Sequence, residues 1–214
     1  MMVFSAVLFA QPSEPTVKEI DALFEKAEAL MRTFSYRGVT VWHSYETSDL
    51  APSYESTTIR EFVPPNKTRI VSRTQSASDS ETEMIYIGGD QYIKSQKGIW
   101  KHGGPDPPKG FVVSSLPTSW LFSVDKRRSK TVTNARHIAN EILDGSPSDF
   151  YEISETKYLD GEIEETSVSR TWFSIKGTLL KTVFEKYSSD GKLERRITTS
   201  YEYDPNIRIE APIP

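Results

Sequence analysis

Three histidines, His43, His102 and His137, are the side chains in this sequence best able to bind a metal or relay a proton near neutral pH. They stand far apart, none has a second ligand at metal-binding spacing, and each reads as a single strand or loop residue. The sequence contains no cysteine. Disulfides and thiolate zinc sites are therefore excluded, and a lipidated cysteine anchor is not expected. No Gly-x-Ser-x-Gly elbow occurs, and no glycine loop of the kind that cradles phosphate. Glu81 with Glu83, and Glu162 with Glu164 and Glu165, read as solvated charge in turn-like stretches. Catalytic carboxylates must oppose one another across a cleft, and spacing alone does not place these so. The reading is of a non-enzymatic protein with no catalytic residue, no metal and no cofactor.

The remaining side chains with work to do are large and apolar, and the pattern predicts which elements hold them. Val17, Ile20, Leu23, Phe24, Ala27, Leu30 and Met31 recur at helical spacing between Thr16 and Thr33, with charges on the opposite side. Thr16 can cap this helix, and Glu19 three residues on completes a capping box. After Phe34 almost everything reads as strand: 34–46, 53–63, 67–73, 85–87, 91–94, 99–101, 131–137, 149–158, 167–175, 178–187 and 192–203. Turns at Pro64-Pro65-Asn66, Gly88-Gly89, Lys97-Gly98, Asp160-Gly161 and Asp190-Gly191 separate several of them. Tight turns make neighbours antiparallel, and a long antiparallel sheet curls because its strands twist. The stretch 111–124, interrupted by Pro117, is the least strand-like and is expected to form a short helical lid. In the first strand Phe34, Tyr36, Gly38, Thr40 and Trp42 share one face, and Arg37, Val39, Val41, His43 and Tyr45 the other. Neither face is purely polar, which suits a sheet wetted irregularly on both sides better than one capping a solid core.

Length and composition fit one folded domain: 214 residues, 36% hydrophobic and 26% charged. Twenty-six basic residues against 30 acidic leave a net charge of −4, without the basic stripe that nucleic-acid binding needs. Lys126-Arg127-Arg128 with Lys130 is one short basic run. It reads as a solvated loop, with an anionic partner such as a lipid headgroup as its functional alternative. The opening MMVFSAVLFA is apolar yet too short to span a bilayer. With Leu8-Phe9-Ala10 as an imperfect cleavage site it reads as a secretory-signal remnant, a hydrophobic first strand being the alternative. Residues 1–15 are accordingly set apart from a single domain at 16–214. That domain is expected to be periplasmic or otherwise exported, soluble and not transmembrane.

Four features of this layout resemble the periplasmic lipoprotein-carrier superfamily, which includes LolA and LolB, LppX and LprG, and the N-terminal part of RseB. An amphipathic helix precedes a long strand that begins Phe34-Ser35-Tyr36-Arg37-Gly38. Gly88-Gly89-Asp90-Gln91-Tyr92-Ile93-Lys94 is followed by Gly98-Ile99-Trp100-Lys101. Glu141-Ile142-Leu143-Asp144-Gly145 leads into Phe150-Tyr151-Glu152-Ile153. The end runs through Trp172-Phe173-Ser174-Ile175 and Leu180-Lys181 to Ile207 and Pro212. The resemblance covers about residues 16–214 and is carried by short, degenerate motifs. It implies a mainly β (α+β) fold: an unclosed, strongly curved antiparallel barrel of ten or eleven strands, with the helix and lid on its concave side. It also implies an apolar cavity there. The walls would come from Phe34, Tyr36, Trp42, Tyr54, Ile59, Ile85, Ile87, Tyr92, Trp100, Trp120, Leu121, Phe122, Trp172, Leu180 and Phe184. Each of these types is also an ordinary core residue. The expected role is a lipid or lipoprotein carrier with a lipid or acylated lipoprotein as partner. The alternative is an envelope-stress sensor or protein-interaction module that meets an inner- or outer-membrane-associated protein.

Overall fold

The computed structural model describes residues 14–46, 51–75, 80–94, 98–103 and 129–212. One helix, α1 (Val17–Met31), is followed by eleven strands: β1 (Tyr36–Ser44), β2 (Tyr54–Val63), β3 (Lys67–Gln75), β4 (Ser80–Ile87), β5 (Asp90–Lys94), β6 (Trp100–His102), β7 (Ser129–Leu143), β8 (Ser146–Leu159), β9 (Glu162–Ser174), β10 (Leu179–Ser188) and β11 (Leu193–Tyr203). The Thr16 hydroxyl accepts from the Glu19 amide, and the Glu19 carboxylate accepts from the Thr16 amide at 2.7 Å. This is the reciprocal cap the sequence predicts.

The strands form one sheet in the order β6-β5-β4-β3-β2-β1-β11-β10-β9-β8-β7, every pair antiparallel. The chain enters at the middle with β1 and meanders outward to β6. It resumes at the opposite edge with β7 and meanders back, so that β11 pairs with β1 along their whole lengths. The sheet is curved and does not close, since β6 and β7 are its two ends. The sequence-predicted architecture is the observed one. The expected lid at 111–124 lies outside the described residues.

The helix buries Ile20, Phe24, Ala27 and Met31 against Tyr36 of β1, Ile153 of β8, Phe173 of β9 and Leu179 of β10. Phe62, Ala135, Tyr151, Tyr201 and Tyr203 pack around that cluster. The Phe24 and Phe173 rings meet edge to face with centroids 5.2 Å apart, the geometry aromatic quadrupoles favour. A second, smaller cluster forms where the segment after β11 brings Ile207 and Ile209 onto Ile85, with Val63, Ile87, Tyr92 and Trp100 around them. The Lys67 ammonium donates to the Ile209 carbonyl at 3.3 Å.

Candidate functional site

Side chains alternate between the faces of a strand, so the pairing register assigns every residue to one face. Tyr36 lies opposite Phe62 and Tyr203, and all three join the helix cluster. Following the register outward puts Gly38, Thr40, Trp42, Tyr54, Thr58, Arg60, Ile70, Met84, Tyr86, Thr199 and Phe184 on this same helix face. Arg37, Ile59, Glu61, Ile85, Tyr92, Trp100 and Trp172 fall on the opposite face.

The fifteen residues expected to line one cavity therefore do not share a face. Tyr36, Trp42, Tyr54 and Phe184 are on the helix face, and Phe34, just before β1, sets its ring 6.2 Å from Tyr203 there. Ile59, Ile85, Ile87, Tyr92, Trp100 and Trp172 are on the other side. Four of these belong to the cluster beneath Ile207 and Ile209, and Trp172 stacks flat on Phe150 with centroids 4.6 Å apart. Leu180 is partly buried beside the irregularity at the start of β10. Trp120, Leu121 and Phe122 lie outside the described residues. An apolar residue type announces that a side chain wants cover. Only the register says on which side it will find it.

The helix face changes character away from α1. Near the helix it is aromatic: Tyr36, Phe62, Tyr201 and Tyr203 crowd together, and the Tyr201 ring lies so close over Gly38 that a methyl group there would sit 3.3 Å from it. The next row is made of hydroxyls. Thr171, Thr182, Thr199, Thr40, Thr58, Ser72 and Thr82 are direct partners across seven neighbouring strands, from β9 to β4. Two of its links are hydrogen bonds, Thr40 to Thr199 at 2.9 Å and Thr58 to Ser72 at 3.2 Å. The row is buried at Thr171, Thr182 and Thr199 and exposed at Thr82. Composition does not reveal it, because each strand supplies only one member and their alignment depends on every register in between.

On one half of the sheet charge is segregated by face. On β11 and β1–β5 the register gives the helix face two cations, Arg60 and Arg195, and no carboxylate. Arg195 lies over the Trp42 ring, 4.7 Å from its centroid. The opposite face carries two chains of ion pairs. One runs Lys94–Glu83–Arg69–Glu61–Arg37–Glu202, with gaps of 3.0, 2.8, 3.2, 2.8 and 3.6 Å. The other runs Arg136–Glu152–Arg170–Glu185–Arg196, its last three links at 2.9, 2.7 and 2.7 Å. The carboxylates of Glu61, Glu83 and Glu185 are buried beneath half-exposed arginines or lysines. Burial works against ionisation of Glu83, Glu152 and Glu185. Their several hydrogen bonds outweigh it, and all three stay below the usual carboxylate range.

This corrects the sequence reading of the acidic pairs. Glu81 and Glu83 lie in β4 rather than in a turn, and Glu83 is a buried ion-pair partner. Glu162, Glu164 and Glu165 belong to β9, where Lys157 takes Glu164 at 2.7 Å and Lys186 takes Glu165 at 2.8 Å. Each histidine sits beside one carboxylate: His43 by Glu55 at 2.9 Å, His102 by Asp90 at 3.2 Å and His137 by Asp149 at 3.7 Å. Among the described residues no group of three His, Asp or Glu could hold a metal, and no helix is long and apolar enough to cross a membrane.

No protein-family model matches this chain, and no curated protein matches it significantly. Solved structures do resemble it. LprF from Mycobacterium bovis aligns over 94% of this chain and 99% of its own, at 12% identity and a TM-score of 0.49. MucB, in the MucA/MucB complex of Pseudomonas aeruginosa, aligns over 87% of this chain at 12% identity and a TM-score of 0.45. This chain spans 58% of that one. A putative outer membrane lipoprotein-sorting protein domain from Vibrio parahaemolyticus aligns over 87% of this chain and 93% of its own, at 10% identity and a TM-score of 0.29.

Proposed function

We propose that this protein is an exported, non-enzymatic carrier that holds a lipid, or the acyl group of a lipoprotein, against the helix face of its open sheet. The observation that carries this reading is the mismatch between sheet and helix. Eleven strands spaced about 4.8 Å apart make a surface roughly 48 Å across. A helix of 15 residues is about 22 Å long and, with side chains, about 10–12 Å wide. The helix therefore covers only a fraction of the face it packs on. Beyond it the face still presents Trp42, Tyr54, Met84, Tyr86 and Ile93, with Tyr54 39% and Ile93 37% exposed. Hydrocarbon laid there gains about 0.8 kcal/mol per methylene. A chain of about twelve carbons would gain roughly 10 kcal/mol, enough to offset much of the cost of association.

The test is native mass spectrometry of protein purified from an envelope fraction, followed by delipidation and titration with a fluorescent acyl probe. A co-purifying amphiphile and saturable probe binding are expected. Ligand-free protein that also fails to bind the probe would overturn the carrier role.

A further inference from the structure

We propose that Glu155 is a proton-operated latch for the helix. With its carboxyl protonated, α1 lies down on β7 and β8. With it ionised, the N-terminal half of α1 lifts and uncovers more of the helix face. The device does not depend on what the cargo is.

Glu155 stands two residues along β8 from Ile153, on the same face, and Ile153 is packed beneath α1. Its Oε2 is buried with no hydrogen-bond partner, and its Oε1 accepts from the Thr133 hydroxyl at a long 3.4 Å. On the opposite face the protein keeps buried carboxylates charged by surrounding them with donors. Glu185, for one, accepts from Arg170, Arg196 and Tyr187. The cross-strand partners of Glu155 are Thr133 of β7 and Ser167 of β9, both neutral. Lys157, the next residue of β8 on this face, is paired with Glu164 at 2.7 Å. Lys186 of β10, beyond Ser167, is paired with Glu165 at 2.8 Å and with Glu194 at 3.6 Å. From α1 the charge that acts on Glu155 is Asp21, a second carboxylate. Lys18 and Glu25 of that helix are exposed, Glu19 is held in the cap, and Glu28 acts on Tyr36 instead. Burial raises the pKa of Glu155 above the ordinary 4.5; the Thr133 hydrogen bond offsets part of that rise, and Asp21 adds to it. A leucine would fill the place equally at every pH, so the carboxyl adds a pH dependence that packing does not require.

The docked helix therefore favours the protonated carboxyl, whereas water restores the ordinary value once the helix lifts. The contribution to docking is complete below 4.5 and is lost as pH rises through the docked value. This is the reverse of the acid-sensitive ion pairs on the other face. Met31 and the short link to Tyr36 keep the far end of α1 in place, so ionisation loosens one end of the helix and leaves the sheet intact.

Amide hydrogen exchange of the full-length protein between pH 5 and pH 8 tests this, read as protection relative to the unstructured chain so that the intrinsic pH dependence cancels. Protection from Ile20 to Ala27 is expected to fall about threefold or more over that range while β1–β3 keep theirs. Glu155→Gln keeps the shape without the charge and should hold the helix at its pH 5 protection throughout. Asp21→Asn leaves Glu155 in place and should make the fall smaller. If Glu155→Gln loses protection with pH as the wild type does, or if the wild type shows no fall, the latch is wrong. An equal loss in β1–β3 would also overturn it, because the whole molecule would then be loosening rather than one end of the helix.

Discussion

Glu185 accepts a hydrogen bond from Arg170 at 2.7 Å across the β9–β10 pair, on the face turned away from the helix. Its other oxygen takes Arg196 of β11, so one buried carboxylate ties three strands together. Glu61 does the same for β1, β2 and β3, and its chain of ion pairs crosses the central seam through Arg37 of β1 to Glu202 of β11. No second sheet backs this face among the described residues. The ladders supply the cross-strand ties that a second layer would otherwise provide.

Acid should therefore loosen the sheet. Glu83, Glu152 and Glu185 have native pKa values below the ordinary 4.5, because hydrogen bonds outweigh the effect of burial: from Lys94 and Arg69 to Glu83, from Arg136 and Arg170 to Glu152, and from Tyr187, Arg170 and Arg196 to Glu185. A lowered native pKa means the unfolded state binds more protons, so the stabilisation is complete above about 4.5 and is lost as pH falls through the native values. Urea midpoints should be flat from pH 7 to 5 and drop steeply below 4.5. Glu185→Gln should cost about 2 kcal/mol at pH 7, the scale of a charged hydrogen bond, and should flatten the acid limb. An unchanged acid limb in the variant would show that the carboxylate does not act as described.

The helix anchor gives a second expectation. Phe24 is 7% exposed and meets Phe173 edge to face. Phe24→Ala should destabilise by about 3–5 kcal/mol, as for other aromatic truncations in a core. If the helix is only a loose cover over the sheet, chemical denaturation will show a loss well under 1 kcal/mol.

The segment after β11 covers the opposite half of the molecule. Ile207 and Ile209 are buried on Ile85, so this tail secures β4–β6, strands that α1 does not reach. Ile209→Ala should cost about 2–4 kcal/mol by lost burial and a residual cavity. Its effect should also be local. Amide exchange should quicken in β4, β5 and β6 while β8–β10, packed under the helix, keep their protection. Uniform loss of protection would mean that the two clusters unfold as one unit.

Much of this fold is written in local sequence. The capping box at Thr16 and Glu19, the stripe from Ile20 to Met31 and the turns at Gly88, Gly161 and Gly191 are each set by a few adjacent residues, and the structure bears them out. The alternation of Tyr36, Gly38, Thr40 and Trp42 was legible too, because a strand imposes it. What could not be read was which face would meet the helix. Ile85, Ile87, Tyr92 and Trp100 look like cavity lining until the register turns them toward Ile207 and Ile209. The buried Glu83 looks solvated until Arg69 and Lys94 arrive from neighbouring strands. Both are consequences of pairing between strands, and a single strand's sequence does not contain them.

The seam between β1 and β11 offers the cleanest measure of the hydroxyl row. Thr40 and Thr199 oppose one another there with their hydroxyls 2.9 Å apart, Thr199 only 5% exposed and Thr40 half-buried. Valine keeps the shape of threonine and removes the oxygen. Thr199→Val and Thr40→Val should each cost about 0.5–1 kcal/mol, the usual range for a cross-strand hydrogen-bonded pair. The double variant should cost less than the sum, with a coupling of about 0.5 kcal/mol, because once one hydroxyl is gone the other has no partner left to lose. Strict additivity in urea unfolding would show that the two oxygens do not bond. A row of hydroxyls without internal bonds would then have its donors turned toward whatever lies on the helix face.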